Sequence, residues 1–295
     1  MRILYIGSTN FSLKILEWLC ISKKNLVGVV CKKKKLFYDD YCDLGKISKK
    51  NKIPTLYISK VNNKKAINWI KNKKPEIIFC FGWPEILKEK ILNIPSEGAL
   101  GWHPTNLPYN KGRHPLIWTL ILDLKSSAST FFIMNNLIDS GNIISKKKFK
   151  VSSKDSSTSL YKKIIKIAIQ QLQTIFHSLK NTKYKSFKQK KTLGNYWRKR
   201  SSQDGMIDWR MSSRNIYNLI RSLKSPYSGA TFFYKNKTIK IFDSTITKIK
   251  KNCINHEPGK ILKVKNNKFL VKCGDQAITI YNLKPKIVLK KGEYL

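Results

Sequence analysis

The sequence predicts an α/β first domain followed by a small β-barrel. In the first half, short apolar runs bounded by turns alternate with stretches whose apolar residues recur at helical spacing, as β-α-β units require. Towards the C-terminus, five short strand-like runs separated by turns follow one helix, a pattern that fits a small barrel, of which the OB-like barrel is one form. A chain of 295 residues with 41% hydrophobic content can bury two cores.

Residues 2–6 read as the first strand, ending in the turn Gly7-Ser8-Thr9-Asn10, with Asn10 as the cap of a helix over 11–21. Strands are predicted at 26–31, 54–58, 75–82 and 97–102, with a helix over 61–71. A helix with proline in its first turn follows at 115–122, then strands at 129–134 and 142–150. The apolar positions Leu160, Ile164, Ile167, Ala168, Leu172, Ile175 and Phe176 predict a long amphipathic helix over 157–179.

The polar, lysine-rich stretch from 181 to 191 lacks apolar periodicity, and a linker is placed there, continuing to about residue 204. The domains are therefore set at 1–190 and 206–295, joined by 191–205. In the second, Ile216, Leu219, Ile220 and Leu223 share one side of a helix over 212–224, and strands follow at 230–234, 238–242, 259–264, 269–273 and 277–281.

The formal net charge of +42 invites a nucleic-acid reading. Only seven of the 59 basic residues are arginine, however, and the lysines are dispersed instead of gathered in one tail. That pattern fits lysine used on every solvated face, so the charge alone decides nothing. Six cysteines show no C-x-x-C pair or zinc spacing, and no metal is expected. No run approaches the ~20 apolar residues of a membrane span, and no signal-peptide pattern opens the chain, so a cytoplasmic location is expected.

Candidate chemistry is confined to few residues. Of four histidines, His177 falls inside the long helix and His256 in a loop, whereas His103 and His114 each precede a proline. The residue before proline is pushed to extended geometry, so His103 projects from a strand end, either as a hydrogen-bonded structural histidine or as a proton-exchanging group. Asp139 opens the turn Asp139-Ser140-Gly141, where it either caps the turn or reaches His103 and fixes its tautomer. Ser8, Thr9 and Asn10 follow the first strand, where backbone N–H groups can meet an anion.

Gly101-Trp102-His103-Pro104-Thr105, Leu107-Pro108, Lys111-Gly112-Arg113-His114-Pro115 and Asp139-Ser140-Gly141 resemble, in that order, the folate-dependent formyltransferases. The likeness extends to residues 2–10, 79–83, 196–200, 204–209, 220–223, 226–230 and 258–262, nearly the whole chain. It implies a Rossmann-like formyltransferase domain with a small C-terminal OB-like β-barrel domain, and N10-formyltetrahydrofolate as co-substrate. It further implies that a primary amine attacks the formyl carbon while His103 and Asp139 manage the oxyanion and the proton. Folate would lie against Phe81, Gly82, Trp83, Glu85 and Ile86 and the loop carrying Asn136, Leu137 and Ile138. The acceptor, a phosphate included, would face Lys111, Gly112, Arg113 and His114.

One departure stands out: the family's asparagine two residues before the histidine is Gly101 here. Losing such an oxyanion donor costs on the order of 100- to 1000-fold in turnover. Asn106 or Asn110 could supply the amide, Gly101 could offer its own N–H, or the chain could be a weakened relative. Retention of His103 and Asp139 in order favours a compensated enzyme.

Two acceptors fit this chemistry: a nucleotide-linked amino sugar and initiator methionyl-tRNA. The acidic, aromatic segment Tyr38-Asp39-Asp40-Tyr41 with Asp43 is poorly suited to gripping an acceptor stem, which favours the sugar. The net charge favours tRNA. A third possibility is a basic RNA-binding or scaffold protein that keeps the fold without the activity. The sequence leaves the oligomeric state open, a homodimer included.

Overall fold

The computed structural model describes residues 1–33, 40–181, 185–190 and 193–295. Two compact units emerge. The first comprises Met1–Pro115, Ser126–Lys150 and Tyr161–Arg198, and the second Leu116–Lys125, Val151–Leu160 and Lys199–Leu295.

The first unit is built on a sheet of seven strands: β1 (Ile3–Ile6), β2 (Leu26–Lys32), β3 (Thr55–Ile58), β4 (Ile77–Cys80), β5 (Ala99–His103), β7 (Ser126–Ile133) and β8 (Ile143–Lys150). Their order is β3-β2-β1-β4-β5-β7-β8; the first five run parallel, and β7 and β8 are antiparallel to their neighbours. Between them lie α1 (Asn10–Ile21), α2 (Gly45–Lys50), α3 (Lys64–Asn72) and α4 (Glu89–Leu92), while α5 (Pro115–Ile121), between β5 and β7 in sequence, belongs to the second unit from Leu116 on. The two-residue strand β6 (Lys111–Gly112) pairs with β9 (Tyr196–Trp197), and α6 (Ser157–Asn181) precedes β9.

β1 and β4 are buried at every position, which is why their sequences are unbroken apolar runs and not alternating ones. On one face of the sheet Leu4, Ile6, Val30, Ile78, Cys80 and Ala99 pack with Ala66 and Ile70 of α3. On the other, rings interlock: Phe11 stacks on Trp102 at 3.6 Å, and Phe81 meets Tyr5 and Phe131 edge-on at 5.8 and 5.5 Å.

The second unit carries α7 (Ser213–Ser222) and five antiparallel strands: β10 (Ala230–Tyr234), β11 (Lys237–Thr247), β12 (Ile261–Lys265), β13 (Lys268–Lys272) and β14 (Ala277–Lys284). They are ordered β10-β11-β14-β13-β12, leaving β10 and β12 as edges. Each edge is blunted by a short bridge, Met206 to Thr231 and Tyr294 to Lys260. Ile216, Leu219, Ile220 and Leu223 are buried as their spacing predicts. Buried Arg221 ties this unit together through Asn218 Oδ1, the carbonyls of Ser152 and Asp155, and Asp123 at 2.9 Å.

Several expectations change. Thr9, not Asn10, caps α1, exchanging bonds with Ser12 in a capping box. The helix α2 had no apolar periodicity to announce it, because the residue it buries is Ser48. β11 runs well beyond 238–242, carried by its ladder with β14. Residues 187–190, and 193–197 of the stretch set as linker, lie within the first unit: Phe187 bridges Ile143, and β9 pairs with β6. Residues 34–39, 182–184 and 191–192, with Tyr38, Asp39 and the start of the expected linker, fall outside the described residues. All six cysteines are free thiols, and among the described residues no helix is long and apolar enough to cross a membrane.

Candidate active site

His103 terminates β5 at the carboxyl end of the parallel strands, the end where open α/β sheets place ligands. Its ring is buried, with Nε2 3.0 Å from the Asn110 carbonyl and Nδ1 3.5 Å from Asp139 Oδ2. The same Asp139 oxygen accepts the Gly112 N–H at 2.9 Å. Gly112 has φ +101°, and a side chain there would strike the Trp197 carbonyl at 2.4 Å, so this close approach requires glycine.

Asp139 itself holds a left-handed φ of +46°. Its turn is clamped from the far side by Gln189, whose amide donates to the carbonyls of Asp139 at 3.0 Å and Gly141 at 2.8 Å. Asn195 works similarly on the opposite loop, its Oδ1 accepting the Asn110 N–H at 2.9 Å and its carbonyl the Lys111 N–H at 3.0 Å. Neither Gln189 nor Asn195 was visible as functional in the sequence, because each sits in a polar stretch with no periodicity.

Gly101 and His103 lie on the same face of β5, two residues apart. An ideal Cβ on Gly101 would lie 2.8 Å from Phe132 Cζ and 2.8 Å from Met134 Cγ, so those two side chains occupy its space. Asn106 Oδ1 is buried without a hydrogen-bond partner among the described residues, whereas Asn110 meets His103 through its backbone carbonyl.

The 111–113 loop, expected to face a phosphate, makes its described contacts within the chain. Lys111 is only 4% exposed, with its ammonium 5.5 Å from the Tyr196 ring centre, and Arg113 donates to the Pro84 carbonyl at 2.7 Å. Pairing of β6 with β9 covers Lys111. His114 is half-buried with a left-handed φ of +52°. The first turn is likewise occupied: Asp40 accepts from the Asn10 amide at 3.0 Å and from Tyr161 Oη at 2.7 Å. The backbone N–H groups of Thr9, Asn10, Phe11 and Ser12 all have partners within the chain, and Ser8 is buried, with its carbonyl accepting the Cys42 N–H.

Two of the residues expected beside the folate, Ile86 and Asn136, meet at one cleft. Ile86, Leu87 and Asn136 line a cavity of ≈ 480 Å³ with Asn62 and Ile67; His103 and Asp139 are not among its walls. Leu137 is 59% and Ile138 45% exposed, an unusual display of aliphatic surface for one short loop. The Trp83 indole Nε1 is buried with no hydrogen-bond partner among the described residues. Glu85 pairs with Lys32 and accepts the Val61 N–H at 3.1 Å. Phe81 belongs to the aromatic core, and Gly82, at φ +63°, makes the turn that follows it.

Residues 1–175 match the formyl transferase family, and residues 199–291 match the formyl transferase C-terminal domain. The chain belongs to the formyl transferase family. It is 38% identical over 207 residues to the bifunctional polymyxin resistance protein ArnA of Wigglesworthia glossinidia brevipalpis, a match covering 70% of this chain but only 32% of that protein. It is 28% identical to the methionyl-tRNA formyltransferase of Caldanaerobacter subterraneus subsp. tengcongensis, covering 100% of this chain and 96% of the relative. In fold it resembles WlaRD, a sugar 3N-formyl transferase solved in the presence of dTDP and 5-N-formyl-THF, with TM-score 0.70, 20% identity and coverage of 97% and 99%.

As a formyltransferase, the chain is an enzyme of formyl-group transfer with the two-part architecture of its family. Among the described residues no group of three or more His, Cys, Asp or Glu side chains could hold a metal ion.

Proposed function

We propose that this formyltransferase moves the formyl group of N10-formyltetrahydrofolate to the amino group of a nucleotide-linked amino sugar. The reading rests on one arrangement, the His103 ring held between Asp139 and the Asn110 carbonyl at the carboxyl end of the sheet. The folate supplies the activated formyl carbon. Trp83 Nε1 and the aliphatic faces of Ile86, Leu137 and Ile138 fit a flat, largely apolar ligand with polar edges.

His103 takes the proton released as the amine nitrogen bonds to the formyl carbon. The bond from that carbon to N10 then breaks, and a proton returns to N10. Asp139 orients the imidazole and balances its charge while the proton resides there. Asn106, three residues beyond His103, is the side chain assigned to stand in for the family's missing amide, its Nδ2–H groups being the donors an oxyanion requires.

For the acceptor, the acidic edge at the first turn favours the sugar. Asp40 sits at the N-terminus of α1, with Tyr41 bridged to Thr9 and Asp43 close by in sequence, a surface unfavourable to a row of RNA phosphates. Initiator methionyl-tRNA is the second reading, favoured by the full-length relationship to methionyl-tRNA formyltransferases and by the charge of +42. Incubation with N10-formyltetrahydrofolate and either a panel of nucleotide amino sugars or charged initiator tRNA separates them by mass spectrometry. Formylated tRNA with no formylated sugar would overturn the leading assignment.

A further inference from the structure

Residues 85–88, on one side of the folate-side cleft, belong to no strand or helix, and the chain enters α4 only at Glu89. A backbone without a ladder must find its hydrogen bonds elsewhere, and here two come from a single side chain. Asn62 Nδ2 donates to the Ile86 carbonyl at 2.9 Å, and Asn62 Oδ1 accepts the Lys88 N–H at 2.8 Å. The amide thus grips the backbone on either side of Leu87, as one residue of a neighbouring parallel strand does. In that pattern the N–H and C=O of Leu87 turn away from Asn62, and neither has a hydrogen-bond partner among the described residues.

Asn62 is itself held on both sides. Val61 before it is buried and donates its N–H to Glu85 at 3.1 Å, so residues 61–62 and 85–88 clasp each other in both directions. Glu85 pairs in turn with buried Lys32, whose ammonium lies 5.1 Å from the centre of the Trp83 ring. After it, Asn63 caps α3 by accepting the Ala66 N–H at 2.8 Å, and Ala66 and Ile70 anchor that helix in the core. The carboxamide therefore projects from a fixed point, as a residue that must hold a ligand wall to within about 0.5 Å requires.

We infer that Asn62 is a positioning residue for the co-substrate: it fixes the Ile86–Lys88 backbone against which the folate lies, and makes no described contact with His103 or Asp139. The inference rests on the folate reading given above. A wall that meets the ligand equally in the ground state and in the transition state changes binding and leaves the chemical step alone, so the role belongs to KM and not to kcat. Both ends of the amide are needed. Aspartate keeps the acceptor for Lys88 but sets a second oxygen against the Ile86 carbonyl, where a donor is required.

The test measures equilibrium binding of 5-formyltetrahydrofolate to the folded parent, Asn62→Ala and Asn62→Asp, together with steady-state constants and melting temperature. Loss of two neutral hydrogen bonds in Asn62→Ala is expected to weaken folate binding and raise the folate KM roughly tenfold or more. The turnover number and the acceptor KM should stay within about twofold. Asn62→Asp should bind no better than the alanine variant, whereas Asn68→Ala, on the same helix and exposed, should match the parent. Folate affinity within about twofold of the parent in both Asn62 variants, whatever their melting temperatures, overturns the inference and leaves the clasp a structural tie. A loss confined to kcat overturns it too. A parent that does not bind 5-formyltetrahydrofolate sinks the folate reading itself, and the inference with it. Because no acceptor enters the binding measurement, failure to formylate an amino sugar counts against the proposed acceptor alone.

Discussion

Phe132 lies directly across the β5–β7 ladder from Gly101, and its ring fills the volume a side chain at 101 would need. The departure from the family pattern is thus packed around, with Met134 closing the other side at 2.8 Å from an ideal Cβ. Restoring asparagine by Gly101→Asn should lower stability by about 1–3 kcal/mol through overpacking and leave kcat no higher. Gly101→Asn/Phe132→Ala should melt above Gly101→Asn alone, because the ring no longer competes for the space. A single variant as stable as the parent and faster than it would refute this account.

Asp139 joins two functions in one oxygen, orienting His103 and fixing the Gly112 loop. His103→Ala and Asp139→Asn should each reduce kcat by on the order of 100- to 10,000-fold, the range for a lost acid/base group. The asparagine amide can still accept from Gly112, so the Asp139→Asn melting temperature should stay near that of the parent. Activity within threefold of the parent would remove Asp139 from the mechanism.

Gln189 positions the Asp139 turn without reaching the histidine in any described contact. Its two neutral hydrogen bonds are worth about 1 kcal/mol each, so Gln189→Ala should cut kcat roughly tenfold with little change in the folate KM. Gln189→Glu keeps the shape and loses the donor. It should behave like the alanine variant, and a fully active glutamate variant would mean that bulk alone matters.

In the second unit, burial would raise the Asp243 carboxyl, but hydrogen bonds from Lys224 and Asn282 outweigh it and hold it below the usual aspartate range. A depressed carboxyl stabilises the fold above its unfolded pKa of about 4, and the contribution is lost as pH falls through the lower folded value. Asp243→Asn should therefore melt below the parent at neutral pH and converge with it under strong acid. A difference that grows on acidification would reverse the sign and refute the assignment.

The alternation of apolar runs gave nearly every strand of the first unit to within a few residues, because a fully buried parallel strand has no other sequence it can use. His103 and Asp139 were legible for a different reason: prolines and a turn mark them off from any periodic face. The contacts of the neighbouring residues were not legible, because a side chain's direction there depends on a distant partner. Lys111 and Arg113 look like anion ligands in a string of letters, yet β9 covers one and Pro84 takes the other.

By itself, the sequence determined the two-part α/β and β architecture from local pattern and the formyltransferase family from ordered motifs, and it singled out His103 and Asp139 as candidates. Only the tertiary structure decided that Gln189, Asn195 and β9 hold the loops around His103, that Asp40 already serves the first helix N-terminus and that Phe132 fills the gap above Gly101. Those are contacts between residues 30 to more than 80 positions apart. No periodicity or propensity encodes them, because their energy exists only once the sheet has brought both partners together.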